Sequence, residues 1–332
     1  MTFSRALFIV CTLAVLTSAT FAGKQKAETA ALIEHARQLS DIRTEGAPPF
    51  RLKMDFKIMK DDGAVLSGTY TEFWISETQW RRETTLGDFR RIQIASGRKL
   101  WLVDNSTVVP RRIGDIAHIP DVGRLRPEAW KSRNDRKING VGMHCLEDNL
   151  GPSALRQVLC FDKLTGTLNA EISPVLSGTV IGERICLLSD YQKFGEYMVA
   201  RSYECAEDAH PKLMAKVVEL AAGPAHDPTL FVPPEGAKES VNCLGLVKPP
   251  TVVHQQDPTP PRSFSGTSVV TISVVVGIDG KMRNPRVTSA PNHDYDEAAL
   301  EAIQQWKFKP ATCDGEPVEK EITTEFEFHR YY

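Results

Sequence analysis

Six cysteines supply the plainest chemistry in this chain: Cys145, Cys160, Cys186, Cys205, Cys243 and Cys313. A seventh, Cys11, lies in an apolar N-terminal stretch. An even set of thiols downstream of such a stretch points to disulfides. Spacing does not fix connectivity, and free or mispaired thiols are the alternative. Symmetry favours one pairing. Cys145 and Cys160 are centred on Pro152-Ser153, and Cys186 and Cys205 on Phe194-Gly195-Glu196. Each pair would face itself across a hairpin, where Cα atoms come close enough to bridge. That leaves Cys243 for Cys313. Each bridge is expected to contribute about 2–4 kcal/mol. No Cys-x-x-Cys and no histidine pair at ligand spacing is present, so no metal site is expected.

Other reactive residues do not assemble into a catalytic pattern. Ser96-Gly97-Arg98-Lys99 has the Ser-x-x-Lys form without its companion motifs, and it falls in a hairpin turn. His144 adjoins Cys145, but neighbouring strand residues point to opposite faces. There is no His-Glu-x-x-His, Gly-x-Ser-x-Gly, phosphate loop or dinucleotide glycine pattern. We therefore expect no enzyme and no cofactor. Three basic pairs, Arg81-Arg82, Arg90-Arg91 and Arg111-Arg112, are either anion-binding or simply solvated strand faces. Alternation sends one member of each strand pair outward. A net charge of -2 gives no bulk attraction for nucleic acid.

The elements that position these residues follow from pattern. Residues 1–22 have the layout of a cleavable export leader, with Arg5, an apolar run Ala6 to Leu16, and Thr20-Phe21-Ala22. The apolar run is shorter than the about 20 residues a membrane span needs. Ala27 to Ile42 reads as a helix with Leu32, Ala36 and Leu39 on one face. Period-two strands then recur: 50–58, 69–75, 79–84, 89–94 and 99–104, with turns at Asp61-Asp62-Gly63, Leu86-Gly87-Asp88 and Gly97-Arg98. Loops and short helix are expected over 111–135, and strands again near 138, 156–162 and 180–204. Phe73, Trp80 and Trp101 read as core aromatics. The first domain spans 23–234. Seven prolines between Pro233 and Pro261 mark 235–264 as an extended linker.

Residues 265–332 form a separate pattern. Val270, Ile272, Val274, Val276 and Ile278 alternate with smaller or polar residues, and Asp279-Gly280 reads as a two-residue hairpin turn. Asp294 and Glu297 have capping-box spacing, Ala299, Ile303 and Trp306 form one stripe, and Pro310 stops the helix. Ile322, Thr324, Phe326 and Phe328 alternate with Thr323, Glu325 and Glu327 as a last strand. The fold class expected is α+β in two domains: an antiparallel β half-barrel with a helix, then a small antiparallel sheet with a packed helix.

Strand, Asp-Gly turn, strand, Asp-Glu-Ala-Ala-Leu helix, Trp306-Lys-Phe308-Lys-Pro310 and final strand resemble the TonB C-terminal domain family, over about 246–332. More weakly, the helix followed by strands carrying Glu72-Phe73-Trp74, Gln79-Trp80-Arg81-Arg82-Glu83 and Lys99-Leu100-Trp101 is similar to the LolA/LolB-like periplasmic lipoprotein-carrier fold. The first resemblance implies a periplasmic module that binds envelope proteins, outer-membrane receptors among them, by strand pairing. Its docking edge would be the last strand, with Glu321, Thr323, Glu325 and Glu327. The second implies an incomplete barrel around an apolar cavity for a lipid ligand.

Overall fold

The computed structural model describes residues 6–332 except 61–62, 107–112, 117–118, 120–121, 124, 149–155, 178–179, 208–209, 224–226, 245–246, 262–266, 290–292 and 330–332. The Asp61-Asp62 turn, the Pro152-Ser153 turn and Arg111-Arg112 lie outside the described residues. Among the described residues no helix is long and apolar enough to cross a membrane. The protein is mostly antiparallel β, dominated by one large open sheet.

Five strands build the expected meander: Phe50–Met59 (β1), Val65–Ser76 (β2), Gln79–Leu86 (β3), Phe89–Ser96 (β4) and Lys99–Asp104 (β5). Gly87 and Gly97 open the β3–β4 and β4–β5 turns at φ 55° and 60°, the left-handed region that tight hairpins need. A second run follows: Trp130–Ser132 (β6), Arg136–Ile138 (β7), Val141–Asp148 (β8), Val158–Asp162 (β9), Leu168–Ser177 (β10), Val180–Phe194 (β11), Tyr197–Glu207 (β12) and His210–Ala222 (β13). β13 pairs with β1 and joins the two runs into one sheet. The order is β14-β5-β4-β3-β2-β1-β13-β12-β11-β10-β9-β8-β6, where β14 is Lys238–Val241, and β7 pairs with β8. The two ends do not meet, so the barrel is not closed. Sequence pattern missed β10 and β13. The run Lys216-Val-Val-Glu-Leu-Ala-Ala222 is built largely from helix formers, and only its ladder with β1 makes it a strand.

The larger core covers one face of the sheet, and a smaller cluster around Cys145 and Cys160 is buried on the other. Phe50, Leu52, Met54, Phe56 and Ile58 of β1 pack with Tyr70, Trp74, Trp80 and Phe89. Ile113 and Ile116, from the short helix Ile113–Ile116 (α2), and Ile119 fill the same core. Helix Ala6–Ser40 (α1) packs near the other end of the sheet, with Ile33 and Ala36 against Trp130, Leu146, Leu159 and Phe161. Its buried ridge is Thr29, Ile33, Ala36 and Ser40, rotated from the expected Leu32-Ala36-Leu39 face, whose leucines are only half-buried. The aromatic assignment also needs correction. Trp80 is in the core, but Phe73 and Trp101 lie half-exposed on the opposite face, under Arg51 and Lys99. Trp74, one residue along from Phe73, takes the core position instead.

In the C-terminal region, Thr267–Val276 (β17) is flanked by Met282–Ser289 (β18) and Lys320–His329 (β22). Helix His293–Ile303 (α3) covers this sheet through Tyr295, Ala299, Ala302 and Ile303. Tyr295 meets Phe328 edge-on and Trp306 meets Phe326, each with ring centroids 5.1 Å apart. Three local readings change. α3 starts at His293, so Asp294 sits inside the first turn beside Asp296, where acids suit the helix dipole. The helix ends at Ile303. Pro310 instead separates Lys307–Lys309 (β19) from Ala311–Cys313 (β20). Asp279-Gly280 is part of a five-residue connection, 277–281, in which only Gly280 has positive φ. The two-residue turn is Asp314-Gly315, with φ 51° and 91°, joining β20 to Glu316–Val318 (β21).

Gly280 is required for a second reason. A Cβ there would stand 2.3 Å from the Phe308 carbonyl oxygen, at φ +72°. Gly280→Ala should cost roughly 1–3 kcal/mol. A chemical denaturation midpoint unchanged from wild type would refute that close approach.

The proline-rich segment is extended, as its composition requires, but much of it is paired. β14 adds to β5, Val247–Lys248 (β15) to β20, and Thr251–His254 (β16) to β19. Trp306 Nε1 donates to the Gln256 carbonyl at 2.9 Å. Residues 238–256 are thus a seam between the large sheet and the C-terminal region, where the sequence suggested a free spacer.

Candidate functional site

The structure joins Cys145 to Cys160 between β8 and β9, and Cys186 to Cys205 between β11 and β12. Both pairs face each other directly in register. Cys243 bonds Cys313 across 70 residues, tying the segment after β14 to β20. Around that bond, Ala311, Cys313 and Val318 pack with Val241 and Val247. His144 points away from its neighbour's disulfide and bonds Asp135, which Lys163 also holds.

β22 presents the expected edge. It pairs with β17 through ten consecutive residues, Lys320 to His329, without a register break. Among the described residues its other side has no strand partner. Ile322, Thr324, Phe326 and Phe328 face α3 and are buried or half-buried, whereas Glu321, Thr323, Glu325 and Glu327 are exposed. Glu321 accepts from Ser273 Oγ at 2.5 Å and pairs with Arg286, so its charge is spent within the sheet. The opposite edge, β18, differs. Pro285 lacks an N–H, Asn284 has φ 50°, and the β17–β18 ladder shifts register twice. Such features blunt an edge, and β22 has none of them.

A second constellation was not legible in sequence. On the core face of β2, Glu72 is fully buried between Arg43 and Arg82, at 2.5 and 2.8 Å. Arg43 bonds it through both Nε and Nη2. Burial alone would raise the Glu72 pKa. The two guanidiniums and their hydrogen bonds outweigh it and lower the pKa to about 2. Burial and the Glu72 charge together push the neighbouring Tyr70 hydroxyl upward. Arg82 also lies over the Trp80 ring, 4.2 Å from its centroid. Its chain neighbour Arg81 turns outward to Glu83 and the Leu230 carbonyl. Arg91 is inward and clasped by Asp104 at 2.8 and 2.7 Å, while Arg90 is outward. Alternation gave the split within the strand pairs Arg81-Arg82 and Arg90-Arg91; it gave no sign that the inward member meets an acid across the sheet.

Three open spaces border these elements. A groove of ≈ 900 Å³ opens on the face carrying Asp55, Lys57, Thr69, Met214 and Lys216. A cleft of ≈ 340 Å³ runs from Trp80, Arg82 and Gln93 to Ser240 and Lys320, and a neighbour of ≈ 260 Å³ shares Trp80 and Arg82. Among the described residues no group of acidic, histidine or cysteine side chains could hold a metal.

Residues 266–329 match the family of the Gram-negative bacterial TonB protein C-terminal. The match takes in β17, β18, α3 and β22, and it stops short of the large sheet. No curated protein matches the chain. Among solved structures, a LolA superfamily protein from Nitrosomonas europaea is similar at 11% identity, covering 61% of this chain and 97% of its own, with TM-score 0.40. A DUF1329 family protein from Desulfovibrio piger is similar at 11% identity, covering 63% and 97%, with TM-score 0.43. Neither likeness carries anything about cargo or partners to this chain.

Proposed function

We propose that this chain is a periplasmic binding protein, without catalytic activity, that docks an extended segment of another envelope protein along β22. The observation that carries it is the uninterrupted ten-residue ladder on one side of β22 and the open side opposite. A free strand edge offers a row of N–H and C=O groups to an incoming strand. The TonB C-terminal match supports the same edge, since that family is understood to bind by strand pairing. Glu325 and Glu327 would lie beside the incoming side chains and favour Lys or Arg there. The leader-like N-terminus and three disulfides support an oxidising compartment. An outer-membrane receptor is one such partner.

Photo-cross-linking in the intact envelope tests this. A photoreactive residue at Glu325 or Glu327 should give one adduct of discrete mass, and one at exposed Glu301 on α3 should not. Reversing the charge of both glutamates should suppress the adduct. Equal labelling from α3, or none from β22, would refute docking at this edge.

A second reading, carriage of a lipid or other apolar ligand, is favoured by the ≈ 900 Å³ groove, where Phe56, Met214 and Ala215 supply apolar wall. The core face itself is filled by Tyr70, Trp74 and the three isoleucines of 113–119. Native mass spectrometry of protein from the periplasm decides: a bound mass lost in organic solvent supports carriage, and a bare chain opposes it.

A further inference from the structure

The ≈ 340 Å³ cleft between the large sheet and the C-terminal region is walled in part by donors whose hydrogen-bonding capacity is not used up by protein. Arg82 has one hydrogen bond among the described residues, Nε to Glu72 at 2.8 Å, and makes its ring contact with Trp80. Both of its Nη groups are without a protein acceptor there, on a side chain only 13% exposed. Across the ladder, Gln93 sits directly opposite Arg82, and Thr84 opposite Arg91. Gln93, Thr84 and Ser240 make no side-chain hydrogen bond to protein among the described residues, although Thr84 is only 4% exposed. Paired strand residues on one face have Cβ atoms roughly 5 Å apart, so Arg82 and Gln93 are adjacent, as are Thr84 and Arg91; Ser240, opposite Leu100 on β14, borders the same cleft farther along the sheet.

The charge at this place is positive. Glu72 is shared by two arginines and leaves Arg82 short of a full counter-charge. Arg91 is neutralised by Asp104. Glu319, the acid on the cleft wall, is held by Arg283 at 3.2 Å. Lys320, the first residue of β22, stands exposed on the C-terminal wall. A half-buried planar fork with free N–H groups, beside a hydroxyl, an amide and an ammonium, matches a tetrahedral oxyanion.

We propose that this cleft binds a phosphoryl group, with Arg82, Gln93, Thr84 and Ser240 from the large sheet and Lys320 from the C-terminal region. The volume is at the lower end of ligand pockets, about 300–1,000 Å³, and suits a phosphate with a small substituent. The ligand would bridge the two halves of the molecule at the root of β22. Free phosphate and a phospholipid headgroup present the same chemistry.

Calorimetric titration of the oxidised chain separates these. One titrant is inorganic phosphate; the other is a short-chain phosphatidic acid below its micelle concentration. Saturable one-site binding is expected for at least one. Binding by phosphate alone assigns a free oxyanion; binding only of the phosphatidic acid assigns a headgroup. Arg82→Lys should weaken it roughly tenfold, since a point charge replaces a fork. Gln93→Ala and Ser240→Ala should each weaken it several-fold, about one neutral hydrogen bond. Neither side chain bonds elsewhere among the described residues, so these two variants read binding without disturbing the Glu72 cluster. Absence of saturable binding by both titrants in the wild type would overturn the proposal. So would affinity unchanged in all three variants. The β22 cross-links do not depend on this cleft, so either proposal can fail alone.

Discussion

Glu72→Gln should destabilise the chain by roughly 3–5 kcal/mol, nearly as much as Glu72→Ala. The side chain is fully buried, and Arg82 has no other carboxylate among the described residues. Removing the acid leaves buried guanidinium charge without its partner, and that residual charge, more than the lost bond, sets the cost. Gln keeps the volume and one acceptor, so it isolates the charge from the cavity. Urea denaturation of both variants would show it. If Gln cost less than about 1 kcal/mol, the electrostatic account would be wrong. The same residue predicts a pH response. Its folded pKa is lowered from 4.5 to about 2, so its contribution is fully present above the unfolded value. It is lost as pH falls from 4.5 toward 2, because only the unfolded state takes up the proton readily in that window. The Gln variant should lack this part of the acid response.

Cys243→Ala with Cys313→Ala should have the second large effect. The bond closes 70 residues, and opening it returns loop entropy to the unfolded chain worth about 4 kcal/mol. The seam left behind is short: β15 contributes two paired residues and β14 four. We therefore expect β17–β22 to melt separately from the large sheet, giving two calorimetric transitions in place of one. Protease should cut the double variant first within 255–261. A single transition at the wild-type midpoint would show that the seam holds without the disulfide. The cross-strand bonds Cys145–Cys160 and Cys186–Cys205 lie within continuous ladders, so their loss should not uncouple the halves.

Local pattern carried much of this structure. β1 to β5, β17 and β22 follow directly from period-two alternation, and the turn glycines Gly87 and Gly97 from the φ those turns demand. The Asp-Gly signal was less discriminating: of the two such dipeptides that lie wholly within the described residues, Asp314-Gly315 makes a two-residue turn and Asp279-Gly280 lies in a longer connection. At Gly280 the chain also meets Phe308, a contact 28 residues away in sequence that no local signal records. β13 needed β1 beside it, and the proline-rich segment needed both flanking regions, before either could be seen as strand.

Sequence by itself determined which residues of each strand share a face, because side chains alternate by pleat geometry. It determined in that way that Glu321, Thr323, Glu325 and Glu327 line one side of the last strand. Tertiary structure decided which face is inside. In β2 the choice lay between Tyr70-Glu72-Trp74 and Thr69-Thr71-Phe73, and a carboxylate argues for putting its own set outward. The fold turned it inward because Arg43, from the turn after α1, and Arg82, from β3, converge on that carboxylate with charge enough to offset its desolvation. The cleft beside Arg82 arises from the same convergence, together with a C-terminal wall brought in by Cys243–Cys313. Neither partner lies near Glu72 in the chain, and no periodicity records a meeting between distant side chains.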